Sequence, residues 1–312
     1  MQTKNTEQNI KEKIIDVERS IIKKYRKEIW SKFIQAIKNY EMVTEGDKIC
    51  VCVSGGKDSM LLAKLFQELQ RHGKVNFEIK FMLMDPGYDK QNLDIVFKNA
   101  QNLGIPLERF ESHIFEIVKQ VDNNPCYLCA RMRRGHLYNG ARILGCNKIA
   151  LGHHGDDVIE TIMLNLCYGS EIKTMMPKVK SQNFNGMELI RPLYYILEQD
   201  IIAWKNYNNL NFINCACPLN DACDIAGQDP SMEWVQGILL GQILGKKPSV
   251  NKIGKRTEMK NLLKIINTIN PEIKQNIFKS LDNVNLDTVT GYRKNGERFN
   301  FLDIYKDSRT EE

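Results

Sequence analysis

No apolar run in the chain approaches the roughly 20 residues needed to cross a bilayer. The opening stretch, MQTKNTEQNIKEK, holds no apolar signal region. Neither a membrane span nor secretion is therefore expected. The chain also lacks an internal repeat, a low-complexity linker, and the Walker pattern GxxxxGK followed by Ser or Thr, which excludes that type of P-loop. Histidine and tryptophan are scarce, with five and three among 312 residues. Hydrophobic content of 42% and charged content of 26% are ordinary for a soluble globular protein. A chain of this length can bury a core as one large domain or two. A cytoplasmic enzyme is expected, in which the nine cysteines serve as thiols or metal ligands rather than disulfides.

The net charge of +6 is unevenly placed. Residues 1–40 hold ten Lys and Arg against five Asp and Glu, and residues 246–279 hold nine against two. Clustered positive charge attracts a phosphate backbone, although solvated helix faces in a lysine-rich protein have the same composition.

Apolar residues at helical spacing (Ile10, Ile14, Ile15, Ile21, Ile22, Ile29, Phe33, Ile37) predict one or two amphipathic basic helices over 8–40. An alternation follows: strand 48–53, helix 58–71, strand 77–84, helix 90–103 ended by Gly104 and Pro106, and a short strand at 107–110. A helix over 126–145, a strand at 148–151 and a helix over 156–168 complete it. Such alternation implies a doubly wound parallel α/β sheet, with ligands at the carboxyl ends of its strands. Residues 224–256 read as a short helix with loops, and a basic helical pair broken by Pro271 follows. The last twenty residues are expected to be weakly ordered. The domain reading is 1–45 for a basic helical segment, 46–215 for the catalytic domain and 216–312 for a basic helical extension.

Ser54-Gly55-Gly56-Lys57-Asp58-Ser59 lies between the first strand and its helix. Paired glycines let the backbone turn tightly and bring its amides close to an anion. The following helix aims its dipole and unpaired amides at the same spot. Ser54 and Ser59 offer hydroxyls, Lys57 a point charge, and Asp58 a carboxylate for Mg²⁺ or the helix terminus.

Cys126 and Cys129 form a CxxC entering a helix; zinc, a redox dithiol, an iron–sulfur cluster or no metal all suit a single CxxC. Cys215 and Cys217 supply thiols about ninety residues on, with Cys223 just beyond. Four thiolates suit a structural zinc. Three leave one iron of a 4Fe–4S cube without a protein ligand, able to carry an exogenous sulfide. Cys50, Cys52, Cys146 and Cys167 read as core packing. Arg131, Arg133 and Arg134 follow the CxxC, where Arg133 and Arg134 suit phosphates, or a solvated helix face. Leu151-Gly152-His153-His154-Gly155-Asp156-Asp157 ends one strand and opens a helix, and its two aspartates suit the helix dipole or a nucleotide's Mg²⁺.

SGGKDS resembles the pyrophosphate loop of the N-type ATP pyrophosphatases. EGDKICVCVSGGKDS, PCYLCARMRRG, LGHHGDDVIETIMLNLCYG and LIRPLYYILEQDI, in that order and spacing, resemble the tRNA 2-thiocytidine synthetases, which belong to the pyrophosphate-loop tRNA sulfurtransferases. The likeness covers about 23–217 and resumes near 257–285. It implies an adenine nucleotide alpha hydrolase-like fold with basic helices at both ends. It further implies ATP phosphates on Ser54 to Ser59, a nucleoside near Asp85 and Gly152, and an acidic nucleotide-site residue at Asp157. Asp58, Arg133 and Asp157 take the catalytic roles, Arg133 standing where related enzymes place a basic residue toward the substrate. A 4Fe–4S cluster falls to Cys126, Cys129 and Cys217, with Cys215 as the alternative third ligand, since the family's second CxxC reads CxC-Pro here. The implied reaction adenylates a tRNA cytidine (position 32, anticodon loop) with ATP and Mg²⁺ and exchanges its oxygen for sulfur. By the same resemblance a cysteine desulfurase or inorganic sulfide supplies the sulfur, and a homodimer is left open, since homologues often pair up while no residue here marks a dimer interface. Two rivals share parts of this pattern. A lysidine-type tRNA ligase needs no CxxC. A non-catalytic zinc or nucleotide-binding module would be expected to carry a damaged phosphate loop, and this loop is complete.

Overall fold

The structure, a computed structural model, describes residues 2–121, 125–213 and 254–307. Six strands form its main sheet: β1 (Lys48–Val53), β2 (Glu78–Asp85), β3 (Leu107–Glu111), β4 (Lys148–Ala150), β5 (Lys178–Lys180) and β6 (Glu188–Ile190), in the order β3-β2-β1-β4-β6-β5. All pairings are parallel except β5 with β6. Strand order reverses between β1 and β4. At that switch point the loops leaving neighbouring strands diverge and open a crevice for a ligand. The expected doubly wound sheet is thus present, with an antiparallel edge strand added.

β1 shows why a continuous apolar run suits the centre of such a sheet. Its alternate residues enter two different cores. Ile49, Val51 and Val53 join the larger one, while Cys50 and Cys52 meet Met82, Tyr138 and Ile149 on the opposite face. The larger core receives α3 (Lys57–His72) and α4 (Lys90–Asn102); the other receives α6 (Pro125–Ile143). Gly140 lets α6 approach β2, since a Cβ there would lie 2.5 Å from Met82 Sδ. Asp89 caps α4 by accepting the Asn92 amide at 2.8 Å, and Gly104, at φ +64°, follows its end. Cys50, Cys52 and Cys146 pack in the core as expected. Cys167 does not: it is exposed, on the π-helical turn Asn165–Gly169 that continues α7 (Gly155–Leu164).

The N-terminal segment forms α1 (Gln2–Arg19), two π-helical turns and α2 (Ser31–Asn39). Val17, Ile21, Ile29, Phe33 and Ile37 share the larger core with α3, and the Phe33 and Phe66 rings meet edge-on at 5.7 Å. Short elements absent from the sequence reading are α5 (Ile114–Val118), β5, β6 and α8 (Glu198–Tyr207). Beyond them lie α9 (Lys255–Ile269) and α10 (Glu272–Lys279), the basic pair broken at Pro271. The expectation of weak order over the last twenty residues is corrected in part. β7 (Gly291–Lys294) and β8 (Glu297–Asn300) form a hairpin, and α11 spans Phe301–Asp307. Asn295 and Gly296, both at positive φ, make the turn that joins the two strands. Residues 308–312 and most of the segment 224–256 lie outside the described residues.

Candidate functional site

Ser54 to Ser59 turn the chain from β1 into α3. Gly55 sits at φ +88°, and a Cβ there would come within 2.4 Å of Val96 Cγ2 and 2.8 Å of Ile213 Cδ1. Both conformation and space demand glycine. Gly56 occupies the N-cap of α3, and no side chain accepts from the first-turn amides. Those amides and the helix dipole are therefore left for an anion. Ser59 is buried and braces the loop from inside: its hydroxyl donates to the Gly56 carbonyl at 3.0 Å and accepts from the Ser54 amide at 3.1 Å. Ser54 is exposed at the loop's outer surface.

The loop after β4 closes onto this turn. A Cβ on Gly152 would lie 3.1 Å from the Asp58 carbonyl carbon and the Ser59 nitrogen, so glycine permits direct backbone packing of one loop on the other. His154 and Asp157 then open α7 with a reciprocal cap, the His154 amide donating to Asp157 at 3.0 Å and the Asp157 amide to His154 Nδ1 at 3.4 Å. Burial brings His153 down to about 4, so its imidazole is neutral near pH 7. Burial opposes the Asp157 charge, but His154, His153 and Arg256 outweigh it and hold the carboxyl below its ordinary range.

Asp85, at the end of β2, is buried and saturated. One oxygen accepts the Gly87 and Tyr88 amides at 2.9 and 2.8 Å; the other accepts Arg109 Nε and Nη2 at 3.1 and 2.7 Å. It organises the loop beside the SGGKDS turn, and both of its oxygens are engaged within the protein. Asp58 differs. Lys57 Nζ lies 3.2 Å from both of its oxygens but hydrogen-bonds only Oδ2, and Oδ1, buried, accepts no hydrogen bond among the described residues. Burial accordingly pushes this carboxyl above its usual range.

Four cationic side chains and their carboxylates surround the turn, of which Glu198, Arg256, Lys260 and Lys274 are absent from the sequence reading. Lys57 reaches Glu198, at the start of α8, at 3.1 Å, and the other Glu198 oxygen holds Lys260 of α9 at 2.8 Å. Arg256 binds Asp157 at 2.8 Å and Glu160 at 3.0 Å; Lys274 of α10 binds Asp156 at 2.9 Å; Asp156 also accepts the Glu198 amide at 2.7 Å. Burial opposes the Glu198 charge, yet Lys260 and Lys57 hold its carboxyl down to about 2. Burial likewise opposes the Lys57 charge, and Asp58 and Glu198 outweigh it, raising the ammonium's pKa.

Cys126 and Cys129 lie at the start of α6, one turn apart. Both are free thiols, Cys126 exposed and Cys129 packed with Met84, Ile114, Phe115 and Val118. Met84 precedes Asp85, so the CxxC stands at the same carboxyl edge as the phosphate turn. Arg133, one turn on, lies 5.3 Å over the Phe115 ring, and its Nε is buried without a partner among the described residues. Arg191, just after β6, was also missed. Burial, reinforced by Arg134, lowers it to about 10, and its Nε likewise lacks a partner among the described residues. Among the described residues no three His, Cys, Asp or Glu side chains converge as a metal site. Cys215, Cys217 and Cys223 lie outside them. Two reduced thiols one turn apart at a helix start suit two ligands of a thiolate-bound cluster.

The model of the PP-loop domain matches residues 25–219. A tRNA-cytidine(32) 2-sulfurtransferase of Pelobacter propionicus is 35% identical over 253 residues, 80% of this chain and 83% of that protein. A second, from Geobacter metallireducens, is 31% identical over 84% of this chain and 91% of its own length. Among solved structures, the U34-tRNA thiolase NcsA from Methanococcus maripaludis, with its 4Fe–4S cluster, superposes with a TM-score of 0.59 at 19% identity. That match covers 85% of this chain and 80% of the thiolase. The last likeness shows a shared fold.

Proposed function

Since the chain belongs to the PP-loop family and, within it, to the tRNA-cytidine 2-sulfurtransferases, an enzyme family of transferases, we propose that it replaces the 2-carbonyl oxygen of a tRNA cytidine with sulfur, using ATP. By its relatives' names the target is cytidine 32, in the anticodon loop, where a base leaves its stack readily. The observation that carries the reading is the convergence, at one carboxyl edge, of the uncapped SGGKDS turn, the Gly152–Asp157 cap and the CxxC helix start.

In the first step the carbonyl oxygen attacks the α-phosphorus of ATP, the bond to the β-phosphate breaks, and pyrophosphate leaves. Lys57 and the amides of Ser54–Ser59 bear the charge that moves onto the departing phosphates. Asp58 and Asp157 are assigned to Mg²⁺ on those phosphates; Asp58 Oδ1, which accepts no hydrogen bond among the described residues, suits a cation. The backbone beside Asp85 and Gly152 is assigned to the nucleoside. In the second step hydrosulfide adds at C2, the C2–O bond breaks with AMP as leaving group, and the sulfur's proton is released to solvent. Arg133, desolvated against Phe115, is assigned to the negative charge at the reacting base. A 4Fe–4S cluster on Cys126, Cys129 and Cys217 (or Cys215) would supply a protected sulfur nucleophile. Cysteine desulfurase or inorganic sulfide as donor, a homodimer and a cytoplasmic location complete the proposal.

Protein purified without oxygen should contain about four iron and four acid-labile sulfide atoms per chain, and Cys126→Ala should lose both. One tightly bound zinc with no sulfide after anaerobic reconstitution would contradict the proposed chemistry.

A further inference from the structure

The basic stretch 246–279 has the composition of an RNA-backbone clamp, but three of its cations are otherwise engaged. Arg256, Lys260 and Lys274 each bind a carboxylate at the rim of the phosphate turn. Lys260 is the most telling. It and Lys57 hold opposite oxygens of one carboxylate, Glu198, at 2.8 and 3.1 Å. A carboxylate gripped between two ammonium groups, beside uncapped helix amides, occupies a place where a phosphate would find the same partners. α9 is held there by more than charge: Met259 and Leu263 are buried, and Phe278 of α10 packs on Tyr194 and Tyr195 at 5.3 and 5.9 Å.

We propose that Lys260 is a second phosphate ligand of the nucleotide site, carried by the C-terminal helices, and that Glu198 holds its place between Lys260 and Lys57 until a nucleoside triphosphate enters. The inference deepens the reading of SGGKDS as an ATP-phosphate turn and rests on it. Charge balance requires such an exchange. Lys57, Arg256, Lys260 and Lys274 face Asp58, Asp156, Asp157, Glu160 and Glu198, so four positive charges already meet five negative ones. A polyphosphate is accepted only if ammonium groups turn from carboxylates to phosphate oxygens, with a divalent cation on the carboxylates left behind. Lys260 is suited to this turn because it sits on a half-exposed, four-carbon stem.

If the Lys260–Glu198 pair were only a strut between α9 and α8, removing either partner would have the same effect. A phosphate ligand and its placeholder behave oppositely. Titration calorimetry with a non-hydrolysable ATP analogue and Mg²⁺ on the full chain reads the difference. Lys260→Gln should weaken binding about tenfold, as expected for one lost charge-assisted phosphate contact. Glu198→Gln should bind the analogue at least as tightly as the parent protein, and Lys260→Arg should stay within about threefold of it. tRNA affinity, measured separately by gel shift, should change less than about twofold in Lys260→Gln. Unchanged analogue affinity in Lys260→Gln, or equal losses in Lys260→Gln and Glu198→Gln, would overturn the inference. If Lys260→Gln fails to fold, weakened analogue binding by Glu198→Gln would overturn it alone. A parent protein that binds no analogue would overturn the nucleotide reading itself, an outcome distinct from both.

Discussion

Single residues at this site are constrained by proximity as much as by chemistry. Gly55 and Gly152 are both needed because another chain segment occupies the space of a side chain, Val96 and Ile213 at the first and the backbone of Asp58 and Ser59 at the second. His153 is constrained by burial. Its pKa, brought down to about 4, lies below the unfolded value near 6.5, so the unfolded chain binds an extra proton between these limits. Stability is therefore present above the unfolded pKa and is lost as pH falls from about 6.5 toward 4, by at most ~1.4 kcal/mol per pH unit. His153→Gln should flatten that part of the stability–pH curve in chemical denaturation at pH 4 to 7. An unchanged slope would show that other groups set it. Gly55, Lys57 and Asp157 were legible in the sequence because their chemistry is local, a turn or a cap within six residues. Glu198 and Lys260 were not. The pairs Lys57–Glu198 and Lys260–Glu198 join residues 141 and 62 positions apart, and no periodicity encodes such a meeting.

At the scale of elements, the N-terminal basic helix is tied to the sheet domain by a buried ion cluster. Lys64 of α3 is fully buried and donates to Glu18 at 2.6 Å and to the Leu103 carbonyl at 2.9 Å. Burial pulls the Lys64 ammonium below its ordinary value despite Glu18. The same burial opposes the Glu18 charge, where Arg71 and Lys64 outweigh it. Glu18→Gln removes the countercharge while Lys64 stays inside, and should cost about 3–5 kcal/mol in urea unfolding. A loss below about 1 kcal/mol would show that Lys64 escapes to water. The amphipathic pattern of residues 8–40 announced these helices, and the alternation from β1 to α7 was equally readable because strands and helices there are long. β5 and β6, three residues each, and α5, five residues, are too short to carry a period. The β7–β8 hairpin had its Asn295-Gly296 turn signal, but Arg293, Lys294, Glu297 and Arg298 flank it without apolar alternation.

At the scale of the whole molecule, the two basic ends of the chain do different work. α1 and α2 cover one face of the sheet, whereas α9 and α10 lie over the carboxyl edge, where three of their cations meet the acidic rim of the phosphate turn. The SGGKDS turn, the CxxC and the C-terminal helices thus share one edge of one sheet, as the proposed reaction of ATP, a base and a sulfur atom requires. The central claim is that this edge thiolates a tRNA cytidine. It is tested most directly by mass spectrometry of nucleosides from tRNA incubated without oxygen with the cluster-loaded protein, ATP, Mg²⁺ and sulfide. The account predicts a sulfur-bearing cytidine mapping to position 32, absent when ATP is omitted and absent with Cys126→Ala. Unmodified tRNA with the loaded protein, or a cytidine joined to an amino acid when one is supplied, would contradict it.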